Sequence, residues 1–338
     1  MMRNAYRIGN AIHTPGILFT LLGNVNRQKK FIETYIWPEL LEAQKNNDGS
    51  IDKEDFKKIT NYYGLAVPAI LGGALCVLRG KKMSIQERWA LTCQGAMTGL
   101  GDDFFDKQST TDGIIKLLVE KPEEVIGNNA AERLFLNFYL KSLQYAHNPA
   151  MTLQYLLRVF KAQVESRKQG IPGLLSKNEI EQITIDKGAT SVLFYRTVLL
   201  NPLNKAEEEA LYQMGGLMQL GNDIFDVYKD CLKKIDTPVT TAKNVQAVRE
   251  LFQSQMEKSF ALFYSTGYTR KNINRFLRLI SMSLCSRCFV CLDQLEKKEK
   301  ETNHVFTPHL YERKDLVCDM QKTANKWKTI SRFLQNRI

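Results

Sequence analysis

The sequence predicts a single all-α domain, a helical bundle, on three observations. Apolar residues recur with a period near 3.6 from end to end, strand signals are nearly absent, and no break is long or biased enough to serve as a domain linker. Taken in order, residues 31–45 read as a helical stretch, ended by the turn-forming stretch 46–50. Residues 85–105 carry Trp89, Cys93, Ala96, Leu100 and Phe104 on one stripe. Residues 130–146 and 153–168 follow, separated by a break at 147–149 and closed by the glycines of 170–173. Residues 206–232 set Leu211, Met214, Met218, Phe225 and Leu232 on one face, and residues 245–264 and 272–300 complete the pattern. About ten helices result. They divide into N-terminal helices (1–60), a central bundle (61–300) and a basic C-terminal segment (301–338).

Composition narrows the class. The 338 residues are 44% hydrophobic and 25% charged, with 20 Gly and 9 Pro, which excludes disorder, collagen and low-complexity fibre. The formal charge is +11, and residues 270–338 hold 15 Lys and Arg against 7 Asp and Glu. Phosphate- or diphosphate-bearing ligands, nucleic acid and anionic membrane surfaces are therefore electrostatically suitable partners, and a solvated basic face is the plain alternative. Seven cysteines, an odd number in a long chain, fit reduced thiols and a cytoplasmic location. Cys285, Cys288 and Cys291 read as small buried residues on a helix, not as a metal run, because no Gly or Pro loops flank them. Arg3 and Arg7 precede a short apolar stretch without a small-residue cleavage site, so no targeting segment is expected. The longest apolar run, 65–78, is interrupted by Pro68, Gly72 and Gly73 and is too short to span a bilayer.

Chemistry concentrates in two acidic stretches. Leu100-Gly101-Asp102-Asp103-Phe104-Phe105-Asp106 recurs 120 residues on as Leu220-Gly221-Asn222-Asp223-Ile224-Phe225-Asp226, with Gly95 echoed by Gly215. Asp102, Asp103 and Asp106 crowd one side of a helix within a turn. Asn222, Asp226 and Asp230 are spaced i, i+4, i+8 along one face. Both clusters sit late in their helices, against the negative end of the dipole, which costs a few tenths to about 1 kcal/mol per charge. Bound cations would remove that cost, and hard oxygen donors without His or Cys suit magnesium better than zinc. If the two ends face one another they form two jaws of one site.

These motifs resemble a known family. Asp102 to Asp106 is similar to the aspartate-rich motif of class I terpenoid synthases, and Asn222 to Asp230 resembles their second motif, in which Asn, Ser/Thr and Glu ligate one magnesium. Here Asp226 and Asp230 occupy the Ser/Thr and Glu positions. Asp186-Lys187-Gly188-Ala189-Thr190-Ser191 and Gln219-Leu220-Gly221-Asn222-Asp223 resemble the large-terpene branch (class IB, tetraprenyl-β-curcumene synthase-like) most closely. The same context is also similar to squalene and phytoene synthases, although Phe225 stands where their second motif has Arg.

The resemblance implies a central apolar cavity and magnesium-dependent ionisation of a long (C15–C25) prenyl diphosphate. It implies three Mg2+ ions held by Asp102, Asp103 and Asp106 on one side and Asn222, Asp226 and Asp230 on the other. Lys229, Lys187 beside a helix-breaking Gly188, and Arg167 are candidate diphosphate contacts. Phe105 and Phe225, with Phe104, Tyr62, Tyr63, Phe194 and Tyr195, are candidate walls around a carbocation. Gly215 and Gly216 give room either for a prenyl chain or for a close helix contact. Tyr311 and Arg313 faintly resemble an Arg-Tyr pair that closes over diphosphate in some members.

Three competing readings remain. Prenyl transfer of the chain-elongating kind needs a second basic site, and Lys107-Gln108-Ser109-Thr110 supplies no Arg pair, so head-to-head condensation is the stronger transferase alternative. Residues 44–55 partly match a calcium-binding loop, although a cap for a helix starting near Asp52 explains them better. A basic helical binding protein is the non-enzymatic reading. No nucleic-acid motif accompanies it, so no nucleic-acid partner is expected. Greasy substrates and the basic C-terminal third are compatible with peripheral membrane contact, and oligomeric state is not legible.

Overall fold

The computed structural model describes residues 2–106 and 111–336, and of residues 2–8, 106 and 112 it describes the backbone alone. Among the described residues the protein is all-α, with no strand. The helices are α1 Met2–Phe31, α2 Trp37–Lys45, α3 Lys53–Lys57, α4 Tyr63–Ala66, α5 Gly73–Arg79, α6 Ile85–Asp106, α7 Asp112–Glu120 and α8 Ala130–Tyr145. They continue with α9 Pro149–Ser166, α10 Lys177–Arg196, α11 Lys205–Lys233, α12 Val245–Phe263, α13 Arg270–Ile280, α14 Ser286–Glu301, α15 Arg313–Leu316 and α16 Thr323–Gln335.

Two expectations are corrected here. Pro68, Gly72 and Gly73 do not interrupt their segment: π turns at Lys58–Tyr62 and Val67–Gly72 carry one helical run through Lys53–Arg79. By length and composition that run could cross a membrane, but 61% of its apolar window is buried inside the fold, as in a core helix. Gly188 does not break a helix either, because it lies within α10.

The chain forms two compact units, residues 18–161 with 194–203, and residues 1–17 with 162–193 and 204–338. In the first, α6 lies directly on residues 58–64. A Cβ at Gly95 would come within 2.5 Å of the Tyr63 carbonyl oxygen, and one at Gly99 within 3.1 Å of Lys58 Cβ, so only glycine permits this approach. On α6, Phe104 packs on Phe135 of α8 with ring centroids 5.3 Å apart. A buried Arg79–Glu87 pair at 2.8 Å is joined by bonds between both side chains and the Leu200 backbone.

In the second unit α11 is the central element. Its backbone meets that of α10 at Gly188 and Gly215: a Cβ on Gly188 would stand 2.0 Å from the Gly215 oxygen, and one on Gly215 2.4 Å from Ala189 Cα. The two glycines therefore serve a close helix contact, and Gly216 meets Ile185 in the same seam. Cys288 and Leu284 pack against Gly221, and the Cys291 thiol donates to the Ile224 carbonyl at 3.4 Å. All seven cysteines are free, and burial raises the pKa of Cys285, Cys288 and Cys291, as befits small buried residues. For Cys291 a hydrogen bond to Cys318 contributes first. Arg249 pairs with Asp293 and Glu296, and Arg332 with Asp293, tying α12, α14 and α16 together.

Candidate functional site

The second acidic stretch occupies the C-terminal half of α11. Asn204 caps the start of this helix by accepting from Glu207 N at 2.8 Å, and Lys234 ends it in the left-handed conformation. Asn222 is exposed, and its amide donates to Asp226 at 3.4 Å, the long end of a hydrogen bond. Asp226 and Asp230 are half-buried. Burial, then repulsion from Asp223 and Asp226, pushes the Asp230 carboxyl up to about 7, against the opposing pull of Lys229 and Lys187.

Asp223 belongs to this face and was missed in the reading of motif spacing. It is buried, accepts from Gln219 Nε2 at 2.9 Å and from Thr184 Oγ1 at 3.3 Å, and is pushed up to about 6, chiefly by desolvation. Asp223, Asp226 and Asp230 stand at i, i+3, i+7, which puts three carboxylates on one stripe, but that spacing does not show that Asp223 is the buried one.

Lys187 reaches this face from α10, since its charge favours ionisation of both Asp223 and Asp230. It is half-buried, and the Gly188–Gly215 contact beside it is what lets α10 come so close. One residue before it, Asp186 accepts from the Tyr212 hydroxyl, and burial with Asp186 pushes that phenol up to about 12. Lys229 is exposed beside Asp230. Arg167 lies in the 3-10 turn Arg167–Gly170, which is anchored to the chain just beyond α11 by Gln169 Nε2 donating to the Asp236 carbonyl at 3.0 Å. Phe225 is half-buried with the Arg287 guanidinium 5.6 Å from its ring centre, so one face is already covered by a cation.

The first acidic stretch ends α6 in the other unit. Asp102 accepts from the Tyr63 hydroxyl at 2.7 Å, and the buried Asp103 is ion-paired with Lys58. Asp106 is the last helical residue, and its side chain, like residues 107–110, lies outside the described residues. Phe105 is half-buried and tilted against Phe160 at 6.0 Å. The other wall candidates have local roles. Tyr62 is 59% exposed, Phe194 is core with its carbonyl accepting from Gln94, and Tyr195 donates to Thr98 at 3.0 Å.

Two further sequence features resolve as structure. The Tyr311 hydroxyl bonds the Val305 carbonyl at 2.6 Å and Thr302 at 2.9 Å, so Tyr311 is engaged within its own loop, and Glu312 caps α15, in whose first turn Arg313 lies. Asp52 is the N-cap of α3 in a capping box with Asp55, while Asp48 accepts from Ala130 N at 2.9 Å and pairs with Arg133. The carboxylates of the loop that resembles a calcium site are thus engaged in holding helix ends.

Among the described residues no group of three or more His, Cys, Asp or Glu side chains is gathered as a metal site. The α11 donors nonetheless fit magnesium chemically. They are oxygen only, Asn222 and Asp226 lie within reach of one another, and burial, then the neighbouring carboxylates Asp223 and Asp226, raises the pKa of Asp230 to about 7, a cost that a bound cation would relieve. On α6 the fit is weaker, because Lys58 already supplies a cation to Asp103. No family model, no curated protein and no solved structure matches the chain.

Proposed function

We propose that the protein is a magnesium-dependent terpene synthase of class I type acting on a long allylic prenyl diphosphate. The observation that carries the reading is the acidic face of α11, where burial and mutual repulsion oppose the ionisation of Asp223 and Asp230 and two lysines only partly offset it. Asn222, Asp226 and Asp230 would hold metal there, with Asp102, Asp103 and Asp106 as the second ligand set. Magnesium, when bound, supplies charge neutralisation for the departing diphosphate, in the proposal through three ions. Lys187 and Lys229 bind diphosphate oxygens, and Arg167 is a further candidate. Asp223, fixed by Gln219 and Thr184, adds its negative charge beside Asp230. The allylic carbon–oxygen bond breaks with its electron pair leaving on diphosphate. Phe225 beside the α11 donors is a candidate for excluding water from the cation, as Phe105 is beside the α6 donors.

The test is incubation of purified protein and magnesium with geranyl, farnesyl, geranylgeranyl and geranylfarnesyl diphosphates, following released diphosphate and extracting hydrocarbons for mass spectrometry. A hydrocarbon or alcohol from a single substrate is the expected result. Product only when two prenyl diphosphates are supplied would instead assign head-to-head transfer. Absence of diphosphate release from every substrate and pair would overturn both.

A further inference from the structure

Helix α13 carries Arg270, Lys271, Arg275 and Arg278. Lys271, Arg275 and Arg278 are spaced i, i+4, i+7 and share the face opposite the buried stripe of Ile273, Phe276 and Ile280. Among the described residues none of these three cations enters an ion pair. Arg278 is half-buried, and its Nε is shielded from solvent without a hydrogen-bond partner. His13 of α1 completes the cluster, since Arg278 and Arg275 both act on its imidazole.

A guanidinium withdrawn from water without an acid beside it is costly, and the planar fork of its donors matches phosphate oxygens. We propose that His13, Arg275 and Arg278 form a binding site for a phosphate-class anion, with Lys271 at its rim. Among the described residues no acidic side chain pairs with these cations. Desolvation, then Arg278 and Arg275, hold the His13 imidazole below its ordinary pKa, and burial lowers that of Arg278 with Tyr264 as the group that opposes the shift. The site shares no residue with the acidic face of α11. Its ligand is either a free phosphorylated molecule or the headgroup of a phospholipid, and Ile12, 71% exposed next to His13, suits the second source.

The experiment is calorimetric titration of the whole protein with inorganic phosphate and with tripolyphosphate in EDTA, at ionic strength held constant with sodium chloride. Co-sedimentation with phosphatidylcholine vesicles, with and without phosphatidic acid, is run in parallel. Omitting metal silences the magnesium-dependent reading, so the two proposals fail separately. Arg278→Gln and the milder Arg275→Ala, both checked by circular dichroism, are expected to weaken binding about tenfold or more, the loss of a charge-assisted pair. Binding of soluble anion alone, lost in the variants, assigns a free ligand. Pelleting that depends on phosphatidic acid and is lost in the variants assigns a lipid headgroup. No binding in either arm, binding undiminished in both variants, or a heat that chloride reproduces would overturn the proposal.

Discussion

Asp230 is held at odds with its own charge. Folding raises its pKa from 3.8 to about 7, so near neutrality the folded state keeps a proton that the unfolded chain releases. The stability this group contributes is complete below about pH 4 and is lost as pH rises through about 7. Asp230→Asn, which cannot ionise, should therefore raise the melting temperature at pH 8 and flatten its fall between pH 6 and 8. Melts at pH 6, 7 and 8 check this, and equal slopes for both proteins would refute it. Asn222 gives the complementary test. It is exposed and makes one long hydrogen bond, so Asn222→Ala should abolish magnesium-dependent diphosphate release while leaving the melt unchanged. Asp103→Ala is a poorer probe, because it strands the half-buried Lys58 at a cost of about 1–3 kcal/mol. The paired aspartates and the asparagine were legible from spacing. Asp223 was not, because an i, i+4, i+8 template passes over a residue whose importance comes from burial against Thr184.

At the scale of elements, glycines decide how closely helices approach. A methyl group on Gly215 would overlap Ala189 and the Gly188 carbonyl, so Gly215→Ala must push α10 from α11. Overpacking of this kind costs about 1–3 kcal/mol, and Lys187 would move with its helix away from Asp223 and Asp230. Gly215→Ala should therefore lower the melting temperature and weaken inhibition by inorganic diphosphate together. By contrast nothing lies within 4 Å of a Cβ at Gly16, and Gly16→Ala should stabilise α1 by about 0.5–1 kcal/mol. Urea unfolding of the two variants checks the opposite signs. The same distinction explains which elements the sequence displayed. The stripes of α6, α8, α11 and α12 are plain in the periodicity. Helix α10 was hidden because Gly188 looks like a breaker in isolation and because Thr184 and Lys187 interrupt the apolar pattern to meet the acidic face of α11. The run Lys53–Arg79 was hidden for a related reason: its proline and glycines are absorbed by π turns.

Across the whole molecule one arrangement occurs twice. In each unit a helix ending in acidic residues lies against a segment bearing a lysine, through a glycine: α6 by Gly95 and Gly99 against Lys58, α11 by Gly215 against Lys187. The recurrence seen in the sequence, Gly95 with Gly215 and Asp103 with Asp223, is thus a recurrence of environment as well as of residues. It also sets the scale at which ligands should be felt. A chain with a net charge of +11 would be expected to gain from any anion, yet these acidic faces should answer to an anion only when a divalent cation accompanies it. A ligand at a hundred times its dissociation constant stabilises by about 2.7 kcal/mol. For a protein of this length that is a rise of several degrees, or a little less. Magnesium with diphosphate at pH 8 should produce that rise, magnesium alone a smaller one, and diphosphate in EDTA only what the basic face of α13 contributes. Asn222→Ala should erase the magnesium-dependent part and leave the rest, whereas Arg275→Ala should do the reverse. A rise that is the same with and without magnesium in the parent protein and in Asn222→Ala, and is lost in Arg275→Ala, would remove the acidic faces from diphosphate binding and leave the basic surface of α13 as the ligand site.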